Sequence, residues 1–273
     1  MTDRSAAPLP LSDLIADLVA EQQALDDVMA SLGDDDWAMA TPSPGWTVGD
    51  QIGHLTYFDG TAALAITDPD GFQMGARSLL AKVSAGDDTL DDLTFGPLRG
   101  LSTTERLEAW RSGRNQLAEA ATGLANDARV PWYGPSMGGR SFLTARLMEV
   151  WAHGQDIVDA TDGHRPVSDR LRHIAQLGVI TRGWSYANRR MEAPEVPIDV
   201  VLDAASGAVW TWGPGDATEV VRGTAEDFCL VVTQRRHVDD TSLATSGEAA
   251  RDWMVKAQAF AGPPTAGPNA GRF

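Results

Sequence analysis

Helical periodicity constrains this chain more than any other feature of its sequence. Leu11, Leu14, Ile15, Leu18, Val19, Leu25, Val28, Met29 and Leu32 recur at the interval of a helix with one apolar side. Gly33 and the acids after it end that segment. Thr47, followed three residues later by Asp50, has the pattern of a capping box and opens a second helix over about 48–66. The stripe Leu107, Trp110, Leu117, Ala118 and Ala121 predicts a third helix over 103–123, and a fourth spans about 140–160. D-P-D-G at 68–71 closes the second helix, and the Gly- and Asp-rich stretch 67–101 reads as a long connection with a short helix near 74–84. Four such stripes cannot be buried singly; packed together they make a four-helix bundle.

The pattern then changes. A helix over about 168–190 precedes V-P-I-D-V-V-L-D, A-V-W-T-W and T-E-V-V-R, short runs separated by A-S-G and G-P-G-D. Such runs between turn residues read as strands. Thr224 and Asp227 cap a helix through about 234, and a last helix fits 247–260. The expected fold class is α+β: a bundle over 10–161, a smaller α/β domain with an antiparallel sheet over 162–262, and a disordered tail over 263–273.

Composition narrows the partners. Apolar residues make up 43% and charged residues 22%, the balance of a soluble globular protein. A transmembrane helix is not expected, because no apolar run reaches about 18 residues. The formal charge of −16 repels phosphate backbones and anionic lipid heads, so neither nucleic acid nor membrane is expected as a partner. A small molecule is, for a monomer or homodimer. M-T-D-R-S-A-A-P-L-P has no signal-peptide core, and the single cysteine, Cys229, forms no internal disulfide, so a cytoplasmic location is expected. Cys229, in F-C-L-V-V, reads as core.

Chemistry concentrates in R-L-M-E-V-W-A-H-G-Q-D-I, residues 146–157. On a helical wheel Arg146, Glu149, Val150, His153 and Ile157 fall within roughly 60° of one direction. An acid and an imidazole one turn apart beside an apolar side can grip one cation. Of the five histidines, His164, His173 and His237 lie in or near the second domain. That leaves His54 on the second helix as a third ligand, if the second and fourth helices are neighbours. Two histidines and a carboxylate leave open positions, as catalytic zinc and non-haem iron sites do. The alternative is a Glu149–Arg146 or Glu149–His153 pair beside a satisfied core His54.

W-T-V-G-D-Q-I-G-H-L at 46–55 and R-L-M-E-V-W-A-H-G-Q-D-I at 146–157 resemble the two signature helices of the DinB-like metal-binding bundle. The nearest branch is the mycothiol-dependent maleylpyruvate isomerase-like family. The resemblance implies a divalent metal, with Zn2+ the expected ion, on His54, Glu149 and His153. It also implies a sterol-carrier-like second domain, mycothiol or a similar thiol as cofactor, and isomerase or S-transferase chemistry on a small electrophile. Within V-V-T-Q-R it points to Arg235, less securely Arg236, as a catalytic group facing the cleft. The same C-terminal segment resembles one described for wyosine base formation, a role that the negative charge disfavours.

Other residues carry two readings. Arg111 and Arg114 anchor carboxylates of a thiol cofactor or substrate, or lie with their heads in water. Arg146 holds a substrate carboxylate beside the metal, or orients Glu149. Asp50 caps its helix or serves His54; Asp156 supports His153 or lies between domains; Trp132 and Tyr133 wall a pocket or pack on the bundle. Two rivals to the thiol enzyme are a metal-dependent hydrolase or cyclase that needs no thiol, and a metal-containing protein that only binds a small molecule.

Overall fold

The structure is a computed structural model that describes residues 3–4, 10–86, 88–125 and 127–273. It divides into two compact units, one of Pro10–Arg165 and one of Met1–Leu9 with Pro166–Phe273.

The first unit is helical. Its long helices are α1 (Leu11–Ala30), α2 (Val48–Thr67), α5 (Thr103–Thr122) and α6 (Gly139–Thr161). They pack as a ring in which α2 touches α5, α5 touches α1, α1 touches α6, and α6 closes on α2. The interior holds Leu14, Leu18, Leu25, Ile52, Leu55, Trp110, Leu117, Phe142, Leu147, Val150 and Ile157, all fully or almost fully buried. Each such side chain contributes about 1.5–3 kcal/mol. The capping box that opens α2 is formed: Thr47 accepts from the Asp50 backbone N–H, and the Asp50 carboxylate accepts from that of Thr47.

The segment 67–101 is more ordered than the sequence suggests. D-P-D-G ends α2 and at once starts α3 (Pro69–Ala85), since Asp68 caps the new helix and Pro69 takes its first position, where no N–H is needed. A short α4 (Leu90–Thr94) and a 3-10 turn (Gly96–Gly100) follow. This strap approaches α2 so closely at Phe95 that a Cβ on Gly53 would stand 2.9 Å from the Phe95 Cβ.

Polar pairs sit inside the bundle. Asp59 of α2 is fully buried, receives the Arg146 guanidinium of α6 at 3.1 Å, and accepts from Gln22 of α1 at 3.2 Å. Burial pushes its carboxyl above the ordinary range, and Arg146 only partly offsets this. Asp26 of α1 takes Arg111 and Arg114 of α5, and Glu21 pairs with Arg165 at 3.2 Å.

The second unit carries a five-stranded sheet of β1 (Asp3–Arg4), β4 (Ile198–Asp203), β5 (Val209–Trp212), β6 (Glu219–Thr224) and β7 (Ala244–Ser246), in the order β1-β5-β4-β6-β7. The two-stranded pair β2 (Arg129–Val130) and β3 (Met137–Gly138) belongs to the bundle unit. The sheet is mixed, not antiparallel as expected. β5 folds back on β4 as a hairpin, but β6 pairs with the opposite edge of β4 and so runs parallel to it. Asp199 sets that return by accepting from the backbone N–H groups of Gly215 and Ala217 at 2.7 and 2.9 Å.

The helix expected over 168–190 is two, α7 (Leu171–Ile180) and α8 (Arg182–Ala187), broken where the Thr181 hydroxyl donates to the Leu177 carbonyl. α9 (Ala225–Val232) packs on α7, β4 and β6, and α10 (Glu248–Lys256) on α8 and β6. Cys229 is fully buried, and burial pushes its thiol well up, as a core residue requires. In the C-terminal tail Gln234 donates to the Thr265 carbonyl at 3.1 Å, and Gly271 N–H to Asp240 at 2.7 Å.

Candidate metal centre

Adjacency of α2 and α6 brings His54 to Glu149 and His153. His54 Nε2 lies 3.4 Å from Glu149 Oε2, and His153 Nε2 lies 3.0 Å from the same oxygen. One donor atom from each residue falls within 4.8 Å of the others. Metal bonds of about 2.1 Å at a tetrahedral angle set donors roughly 3.4 Å apart, so the cluster is close to the size of a zinc-type site. Among the described residues, the hydrogen-bonding partners of Glu149 are these two imidazoles. Two imidazole nitrogens and a carboxylate oxygen are a donor set that a divalent ion fits.

The electrostatics follow from burial. The side chains of His54, Glu149 and His153 keep 16%, 25% and 12% of their exposure, so the cluster is lined by protein yet reachable. Burial, and then the neighbouring His153, lower the His54 imidazole to about 4 against the pull of Glu149. Burial pushes the Glu149 carboxyl up, but hydrogen bonds to His153 and His54 outweigh it and hold the group well below the carboxylate range.

Aromatic rings wall the cluster. Trp46 stacks on His153 with ring centres 5.8 Å apart and 17° between planes, and lies 5.1 Å from the His54 ring. Phe58 contacts His54 at 4.5 Å, and Phe95 from the strap meets Trp46 at 4.9 Å. The Trp46 indole donates to Asp91 at 2.8 Å, and Arg99 donates to Asp50 at 2.8 Å, so strap and cluster are joined twice. Asp50 therefore serves the helix cap and Arg99.

Other residues singled out by sequence lie as follows. Arg146 donates to Asp59 of α2, a carboxylate that nothing in the sequence of α6 places beside it. Arg111 makes a bidentate contact with Asp26, and Arg114 binds Asp26 and Gln23, so both heads have partners within the bundle. Asp156 is buried, accepts from Ser43 at 3.0 Å, and stands 3.9 Å from His153 Nδ1. Trp132 stacks on Phe72, and Tyr133 packs on Phe58, with its hydroxyl 3.2 Å from that of Tyr57. Arg235, in the second unit, donates to the Thr233 carbonyl at 2.8 Å. Sequence reasoning gave no role to Gln51, Trp46, Phe58 or Phe95; Trp46 and Gln51 lie in the stretch 46–55 that carries the resemblance, which is the one signal that could have found them.

Comparison with known proteins identifies a family and a shared fold. The family described as "Mycothiol maleylpyruvate isomerase N-terminal domain" matches residues 18–158, and the one described as "Wyosine base formation" matches 205–246. Uncharacterised proteins from two strains of Mycobacterium tuberculosis are each 43% identical over 253 residues, covering 93% of this chain and 97% of theirs. Crystal structures of a mycothiol-dependent maleylpyruvate isomerase and of its histidine-to-alanine mutant share the fold. Their TM-scores are 0.55 and 0.57 at 18% identity, covering 87% of this chain and 93% of each of those.

Proposed function

Because the chain belongs to the mycothiol maleylpyruvate isomerase N-terminal domain family, we propose that it is a metal-dependent enzyme that uses mycothiol or a similar thiol to isomerise a small electrophile, or to join the thiol to it through sulfur as a leaving group departs. The observation that carries this reading is that donor atoms of His54, Glu149 and His153 lie within 4.8 Å of one another. A bound divalent ion such as Zn2+ lowers the pKa of a coordinated thiol and makes thiolate available near neutral pH.

The chain's own residues do the rest. Glu149 supplies one negative charge to the site, and His54 supplies a neutral donor, since burial disfavours its protonated form. Trp46, Phe58 and Phe95 exclude water from the sides of the cluster, which strengthens the interactions within it. The residual exposure of Glu149 leaves a way in for a thiol. Arg235 is assigned to hold a substrate carboxylate, supported by the likeness of V-V-T-Q-R to the corresponding stretch of the isomerase. No such role is assigned to Arg146, which pairs with Asp59.

The test measures metal content and maleylpyruvate isomerisation with and without mycothiol, in wild type and His54→Ala. The expected result is about one metal per chain and thiol-dependent turnover in wild type, with neither in the variant. A His54→Ala protein that keeps full activity removes the metal from the mechanism. Turnover of a substrate with metal but no thiol supports the hydrolase or cyclase reading instead.

A further inference from the structure

Gln51 is completely buried on α2, one turn before His54, yet its side chain serves the other imidazole. Its oxygen lies 2.6 Å from His153 Nδ1, and its amide nitrogen donates to the Thr41 hydroxyl oxygen at 2.9 Å. That hydroxyl donates in turn to the Trp46 carbonyl at 3.0 Å. The chain of bonds has one consistent direction. Thr41 has a single proton and gives it to a carbonyl, so it can only accept from Gln51. Gln51 therefore turns its NH2 toward Thr41 and its oxygen toward His153. An oxygen at Nδ1 requires the proton there, and in the neutral ring Nε2 then carries the lone pair. Nε2 is the atom that stands 3.0 Å from Glu149. Asp156 approaches the same Nδ1 only to 3.9 Å, beyond hydrogen-bonding distance. A neutral amide, and not a carboxylate, takes this proton. Trp46, whose carbonyl ends the chain, also stacks on the His153 ring.

The geometry points to Gln51 as a positioning residue for the metal: with Thr41 and the Trp46 backbone it fixes the tautomer and plane of His153 so that Nε2 faces the ion. An amide accepts more weakly than a carboxylate, so this arrangement also leaves His153 a weaker donor and the ion a stronger Lewis acid. The inference rests on the metal reading above.

The experiment measures Zn2+ affinity by competition with a chromophoric chelator, and the visible spectrum of the Co2+-loaded protein. It uses wild type, Gln51→Ala, Gln51→Glu and Thr41→Val. Gln51→Ala should bind Zn2+ about 10–100-fold more weakly than wild type and shift the Co2+ spectrum. Gln51→Glu should bind at least as tightly as wild type, because its carboxylate accepts the same proton while Thr41 turns to donate to it. Thr41→Val, which frees the amide to rotate, should fall between wild type and Gln51→Ala. Wild-type affinity and spectrum in Gln51→Ala overturn the inference, as does a Gln51→Glu protein as weak as Gln51→Ala. Should Gln51→Ala fail to fold, wild-type affinity in Thr41→Val overturns it. A wild-type protein that takes up no metal is a different result, which removes the metal reading itself.

Discussion

Replacing Arg146 by Met separates a structural arginine from a catalytic one. Arg146 Nη2 and Nε stand 3.1 and 3.3 Å from Asp59 Oδ1, both residues are buried, and the neutral Gln22 also donates to Asp59. At 3.1 Å and an effective dielectric of about 20, the attraction is about 5 kcal/mol. Breaking a buried pair by removing one partner costs about 3–5 kcal/mol. The stranded carboxylate has one escape, which is to take up a proton. That costs about 4 kcal/mol at pH 7 and about 1.5 kcal/mol at pH 5 relative to a free carboxylate, so it caps the penalty. Burial already raises the Asp59 carboxyl above its ordinary 3.8 in the intact protein. The folded state therefore holds the extra proton, and stability falls as pH rises through that window. Loss of Arg146 extends the window upward. Arg146→Met should thus cost about 3–4 kcal/mol at pH 7 and less than half of that at pH 5. Arg146→Met with Asp59→Leu should lie within about 1 kcal/mol of wild type. The assay is urea unfolding of metal-free protein, followed by amide exchange of α2 and α6, which reads the bundle apart from the second unit. A single variant within about 1 kcal/mol of wild type at pH 7, or a double variant carrying the summed cost of both changes, refutes the reasoning.

Three further outcomes are expected. Glu149→Gln should leave the protein folded but without stoichiometric metal in elemental analysis, since the proposed site loses the one carboxylate of its three residues; metal retained at one per chain counts against the triad. Gly53→Ala places a Cβ 2.9 Å from Phe95 and should cost about 1–3 kcal/mol in thermal unfolding, with altered Trp46 fluorescence as Phe95 is displaced; an unchanged midpoint and spectrum would show that the strap yields freely. Asp26→Asn should destabilise the bundle by about 1.5–3 kcal/mol, whereas Arg111→Ala, whose side chain is 41% exposed, should cost less and leave the KM for thiol unchanged. A raised thiol KM in Arg111→Ala restores that residue's anchoring role.

The three residues of the cluster were legible because each is a property of one helix. Glu149 and His153 stand one turn apart on α6, and the rarity of histidine left His54 to complete the set. The α+β architecture was legible for the same reason, since periodicity and turn residues are local. Partner choice is not local. Arg146 shares the inner side of α6 with Glu149, and nothing in R-L-M-E shows that Asp59 of another helix meets it. Gln51 reads as an ordinary polar residue until the fold brings His153, 102 positions away, to its oxygen. D-P-D-G reads as an ending because a stop and a cap use the same residues; only the helical stretch that follows tells them apart. The parallel pairing of β4 and β6 depends on which edge of β4 was left free, and strand composition does not encode that.

The contact between His54 and Glu149 spans 95 positions of the chain, which gives the site a history in time. Synthesis at about 5–20 residues per second sets the two ligands roughly 5–20 s apart as they leave the ribosome. For that interval His54 stands without the other two residues of the cluster. A metal held as proposed would therefore be selected by the finished cluster and not by His54 as the chain is being made.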